Sequence, residues 1–98
     1  MFNKIKDLKN LRNQANEMKK MLAQESVTAD ALHGKVNLVM DGNQDLLSIH
    51  IDKELLSPAN KEKLEQGIKE ALSDAIKKAQ RVMAQKMQSM GGLDIPGM

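Results

Sequence analysis

Residues 57–90, SPANKEKLEQGIKEALSDAIKKAQRVMAQKMQSM, read as one long helix. Ser57 is placed to cap it, and Pro58 suits a first helical turn, where a missing N–H costs nothing. Glu62 and Glu65 fall early, at the positive end of the helix. Leu64, Ile68, Leu72, Ile76, Ala79, Met83, Met87 and Met90 then recur at spacings of three and four, which makes one apolar stripe. Gly91-Gly92 ends the pattern, with Pro96 beyond. Such a helix runs about 50 Å at roughly 1.5 Å per residue, whereas a compact chain of this length is only about 35 Å across. The helix therefore outgrows its own globule. Either it projects as an arm, or a second chain covers its stripe.

Working outward, residues 45–52 and 35–41 alternate apolar and polar side chains. Val36, Leu38 and Met40 point one way, and Leu47, Ile49 and Ile51 answer them across the turn signal Asp41-Gly42-Asn43. Residues 25–31 alternate more weakly through Val27, Ala29 and Ala31 before His33-Gly34 breaks the run. The result is a three-stranded antiparallel meander with one apolar face, which needs a helix laid across it. Asp52 can cap a short turn in the connector that leads to the long helix. The first half of that helix, about 59–75, has the sheet as its natural partner. Gly67 within it is either tolerated, at about 1 kcal/mol relative to Ala, or marks a close approach. Residues 2–24 form a further helix, with Leu8, Leu11, Ala15, Met18 and Leu22 at heptad spacing along a seam that packs on another helix. The fold class is α+β, in the order α-β-β-β-α, with one domain over residues 1–90 and a tail over 91–98.

Composition narrows the function. One aromatic residue, Phe2, and eight methionines leave a modest aliphatic core, which favours self-association. There is no cysteine, so thiolate metal sites and disulfides are excluded. His33 and His50 have no recognised ligand spacing, no phosphate-binding glycine loop occurs, and a catalytic triad has no pattern to stand on. The expectation is a protein with no metal, no cofactor and no catalytic residues, not an enzyme. No apolar run suggests a membrane span or signal peptide, so a cytoplasmic location is expected.

The net charge of +2 is unevenly spread. Residues 1–24 hold six basic and two acidic side chains, residues 25–58 two basic and six acidic, and residues 59–98 seven basic and five acidic. Basic ends flanking an acidic middle point to an anionic partner. The expected contacts are Lys4, Lys6, Lys9 and Arg12 on the first helix and Lys77, Lys78, Arg81 and Lys86 on the long one, all gathered near one tip. With no aromatics to stack on unpaired bases and no reading head for base edges, the expected partner is double-stranded DNA held through its backbone. A homodimer is expected to close through Leu38, Met40, Leu47, Ile49, Leu72, Ile76 and Met83. The alternative is a protein-interaction module built on Met83, Met87 and Met90, an adaptable apolar surface.

The ordered set of local signatures resembles the YbaB/EbfC family of nucleoid-associated proteins. The matching pieces are the Met-Phe start and basic heptad helix, Gly34 ahead of Lys35-Val36, Asp41-Gly42-Asn43 between strands, Ser48-Ile49-His50-Ile51-Asp52 followed by Glu54-Leu55-Leu56, Leu72-Ser73-Asp74-Ala75, and Pro96-Gly97. The chain departs from the family at Ala31-Leu32-His33-Gly34, where a Gly-rich run is usual, and at Ser73, where Asn is common. The resemblance implies a homodimer whose paired helices project like tweezers, DNA binding by those helices, and a place in the bacterial nucleoid. The family's gene neighbourhood, beside recombination and clamp-loader genes, further implies replication or recombination proteins as partners.

Overall fold

The fold is taken from a computed structural model, which describes residues 2–89 and, from residue 8 onward, their side chains. The expected tail over 91–98 and Met90 of the apolar stripe lie outside the described residues. So do the side chains of Lys4 and Lys6. The elements run α1 (Phe2–Ala23), β1 (Ser26–Ala31), β2 (Val36–Asp41), β3 (Leu46–Ile51), two short 3-10 turns (Lys53–Leu56 and Pro58–Asn60), and α2 (Lys61–Ser89). This is the expected α-β-β-β-α order.

The strands form one antiparallel sheet in the order β1-β2-β3. Val36 pairs with Ala31 on one side and Ile51 on the other, and Leu38 with Ala29 and Ile49. At Met40 the pairing slips: Val39 faces Ser48 but Met40 faces Leu46, so Leu47 is an extra residue. The Asp52 cap forms as expected, its carboxylate accepting from the Glu54 N–H at 2.8 Å. Ser57 departs from expectation. Its side chain makes no cap hydrogen bond, and its carbonyl instead accepts from Asn60 N–H at 2.9 Å, closing a 3-10 turn through Pro58 before α2 begins.

α2 meets the sheet along Gly67, Ala71, Ala75 and Ala79, a line of small residues spaced by four. Ala71, Ala75 and Ala79 are fully buried against Ala29, Ala31, Val36, Leu38 and Met40. Small side chains let the helix sit close. At Gly67 an added Cβ would stand 2.7 Å from Leu32 Cδ1, so the glycine marks a close approach. The larger residues of the expected stripe flank this line. Leu64 and Ile68 are partly buried beside it, while Leu72 keeps 37% of its surface exposed.

The sheet is not fully covered. A helix is about 10 Å wide with its side chains and strands lie about 4.8 Å apart, so one helix covers roughly two strands. α2 lies over β1 and β2. β3 is left open, with Leu46, Leu47 and Ile49 at 47%, 55% and 49% exposure. Leu38 and Met40, expected at a dimer interface, correct that expectation: they are 1% and 2% exposed beneath the chain's own helix and offer a second chain nothing to touch.

Replacing Leu38 by Ala removes a fully enclosed side chain and should cost about 2–5 kcal/mol, read as a lowered midpoint in chemical denaturation.

Candidate nucleic-acid interface

Both helices use the same end of the sheet. α1 arrives there and buries Leu22 to 2% exposure. α2 leaves there, its last fully buried residue being Ala79, so residues 80–89 overhang by about 15 Å. Residues 8–17 of α1 are all exposed, and the seam expected to pack on another helix is open there, with Leu8 at 65% and Leu11 at 61%. The chain measures 64 × 21 × 21 Å, with a radius of gyration of 18.5 Å against about 13 Å for a compact chain of this length. α1 is the longer arm, whereas the length argument from the sequence points first to the long helix.

The basic residues divide by whether the fold already uses them. Lys78 is engaged by its own chain although its side chain is 41% exposed. Its ammonium donates to the Thr28 carbonyl of β1 at 2.8 Å and lies 3.2 Å from Asp74. Lys86 pairs with Glu25 at 2.8 Å, tying the overhang of α2 to the segment after α1. Lys35, in the acidic middle, pairs with Glu54 at 2.8 Å; that hydrogen bond and charge raise its pKa above the usual 10.5. Among the described residues, Lys9, Arg12, Lys77 and Arg81 take part in no ion pair. Lys77 and Arg81 stand exposed on α2.

The expected gathering of both basic groups at one tip is only partly met. Lys77 precedes Ala79 and so lies level with the sheet, whereas Lys9 and Arg12 lie out along the arm. What the arm carries instead is a continuous stripe. Lys9, Arg12, Asn16 and Lys19 recur at spacings of three, four and three, about a quarter turn around the helix from the Leu8–Leu11–Ala15 seam. Lys19 and Lys20 sit outside the expected site set, yet both line a shallow cleft with Asn16, Ala23, Asn43 and Asp45 where the arm joins the body. The spacing that reveals Lys19 was present in the sequence. Lys20 is only loosely held by Glu17, at 3.9 Å with both side chains well exposed.

A second surface lies on the opposite flank of α2. Around the helix, Lys78 falls to one side of the Ala75–Ala79 line, toward β1, and Leu72, Ile76 and Met83 to the other. That apolar flank overlooks the open face of β3. Five of the seven expected interface residues, Leu47, Ile49, Leu72, Ile76 and Met83, thus belong to one apolar surface, extended by Leu46. Among the described residues no cluster of His, Asp and Glu has the makings of a metal site, and no helix is long and apolar enough to cross a membrane.

Comparison with known proteins gives a consistent result. The model of the YbaB/EbfC DNA-binding family matches residues 1–93. A nucleoid-associated protein of Syntrophobacter fumaroxidans is 36% identical over 98 residues, covering 99% of this chain and 89% of that protein. Another, of Myxococcus xanthus, is 36% identical over 94 residues, covering 95% and 90%. The crystal structure of an uncharacterized Helicobacter pylori protein superposes with a TM-score of 0.69 over 85% of this chain and 96% of that one; at 20% identity it shares the fold.

The Lys86–Glu25 pair is about one-third exposed on each side, and such pairs are worth roughly 0–1 kcal/mol. Glu25→Gln should therefore move the thermal midpoint by no more than a few degrees, which a calorimetric scan checks.

Proposed function

Because the chain belongs to the YbaB/EbfC DNA-binding family, we propose that it is a nucleoid-associated protein of the bacterial cytoplasm that grips duplex DNA as a homodimer. Binding runs mainly through phosphates and has little sequence preference. The observation that carries this reading is the arm: a helix of 22 residues, exposed along 8–17, with cationic groups in a row on one side. Lys9, Arg12 and Lys19 on the arm and Lys77 and Arg81 on α2 are the phosphate contacts, with Asn16 and Gln85 as hydrogen-bonding additions. Lys4 and Lys6 extend the same helix and join this set. Lys78 and Lys86 are held back by their own chain and contribute less.

The homodimer is supported by the uncovered apolar surface. A chain of this size seldom leaves Leu46, Leu47, Ile49 and Leu72 open together. A second copy seated on that surface also doubles the number of arms facing one duplex. An interaction module built on Met83 and Met87 has weaker support, since Met83 belongs to the apolar surface a second copy would cover and Met87 is half-buried within the chain.

Two measurements test the reading. Log affinity for several unrelated duplexes should fall linearly with log salt at a slope of about 0.9 per neutralised phosphate. The double substitution Lys77→Ala with Arg81→Ala should flatten that slope by about 2 without altering self-association. Affinity that ignores salt would refute the proposal. Separately, Leu47→Asp with Ile49→Asp should turn the dimer into a monomer in sedimentation while helix content is retained; an unchanged dimer would move the interface elsewhere.

A further inference from the structure

The turn between β2 and β3 does more than reverse the chain. Asp41-Gly42-Asn43 is a common turn composition, and its glycine would ordinarily supply a positive φ. Here the positive φ in the turn falls on Gln44, at 67°, and Gly42 has none. Gly42 is present for space. Its N–H donates to the Leu22 carbonyl at 2.9 Å, and an added Cβ would stand 2.8 Å from that oxygen and 3.0 Å from Leu22 Cδ2. Asn43 completes the contact, its side-chain amide donating to the Lys19 carbonyl at 2.9 Å across 24 positions of sequence. Beneath them the buried Asp41 carboxylate accepts from the N–H groups of Asn43 at 2.8 Å and Asp45 at 3.0 Å, which fixes the shape of the turn. The Leu22 carbonyl also accepts from the Glu25 N–H at 3.2 Å, and a carbonyl can accept twice, so two donors from a rigid turn clamp the C-terminal end of α1 to the sheet. Besides this clamp α1 meets α2 near the same end, where Met18 and Met21 are partly buried, while residues 8–17 are exposed.

We infer that the β2–β3 turn is a socket that aims the α1 arm, and that Asn43 is a positioning residue for DNA binding although it need not touch DNA. The inference rests on the reading of the arm as the DNA-gripping element. Leverage makes the socket matter. Over 22 residues the arm reaches about 33 Å, so a tilt of about 10° at the socket swings its far end by about 6 Å. Lys9 and Arg12, about 21 and 17 Å from the clamped end, move by about 4 and 3 Å, enough to loosen their hold on the phosphates that Lys77 and Arg81 leave within reach.

The test measures direction and binding separately. The chain has no cysteine, so spin labels can be placed by Asn10→Cys on the arm and Ser48→Cys on β3. Labelled chains are diluted in excess unlabelled protein, so that only distances within one chain are read. Asn43→Ala should broaden the distance distribution or shift it by about 3 Å. It should also weaken duplex binding about tenfold, the loss of one or two phosphate contacts, with helix content and self-association unchanged. Gly42→Ala should displace the arm further, and Asn43→Ala decides the matter if that variant fails to fold. An unchanged distribution in Asn43→Ala would overturn the socket. A changed distribution with unchanged affinity would overturn the positioning role. If the unsubstituted protein bound no duplex at low salt, the DNA reading and the positioning role would fall together, while the distances would still decide the socket.

Discussion

One α-helix cannot cover three strands, and most of this architecture follows from that mismatch. α2 settles over β1 and β2, where Ala71, Ala75 and Ala79 allow close approach to Ala29, Val36 and Leu38. β3 keeps its apolar side chains but has no helix above it. α1, which a compact domain would lay across that gap, is clamped by its last turn at the end of the sheet and points away. The chain is thereby left with an open apolar surface and a free basic arm, two features that a closed monomer would lack.

Charge is partitioned on the same plan. The acidic middle of the sequence becomes the sheet and its connections, and three of its carboxylate or carbonyl groups engage lysines that the sequence would otherwise count as available. Glu54 holds Lys35, Glu25 holds Lys86, and the carbonyl of Thr28 holds Lys78. These are exposed or half-exposed contacts of small energetic weight, so their effect is on direction rather than stability. They engage some cations within the chain and leave Lys9, Arg12, Lys77 and Arg81 without an ion-pair partner among the described residues, so that an anionic polymer can meet them.

Much of this was legible in the residues. Alternation found all three strands within a residue or so, the apolar period found both helices, and the order of local signatures matched the family that the comparisons support. Leu72, Ile76 and Met83 were correctly picked out as a stripe on α2, but periodicity weights large side chains, and the line that actually meets the sheet is Gly67-Ala71-Ala75-Ala79. Leu38 was assigned to an interface because an apolar strand face has no label saying which chain will cover it. The sequence points to Lys78 and Lys86 as readily as to Lys77 and Arg81, because it records charge but not the carbonyl or carboxylate beside it.

The sequence by itself determined the secondary structure, the antiparallel meander and the basic character of both helices, because these depend on neighbours within a few positions along the chain. The tertiary structure decided which strand stays bare, which lysines are engaged by their own chain and where the α1 arm points. Each of those depends on groups distant in sequence meeting at short range: Gly42 against Leu22, Asn43 against Lys19, Lys78 against Thr28. The residues 57–90 announced a helix too long for its own globule. Its overhang is only about 15 Å in the folded chain, and the greater reach belongs to α1, because a turn 20 residues downstream holds α1 by one end only.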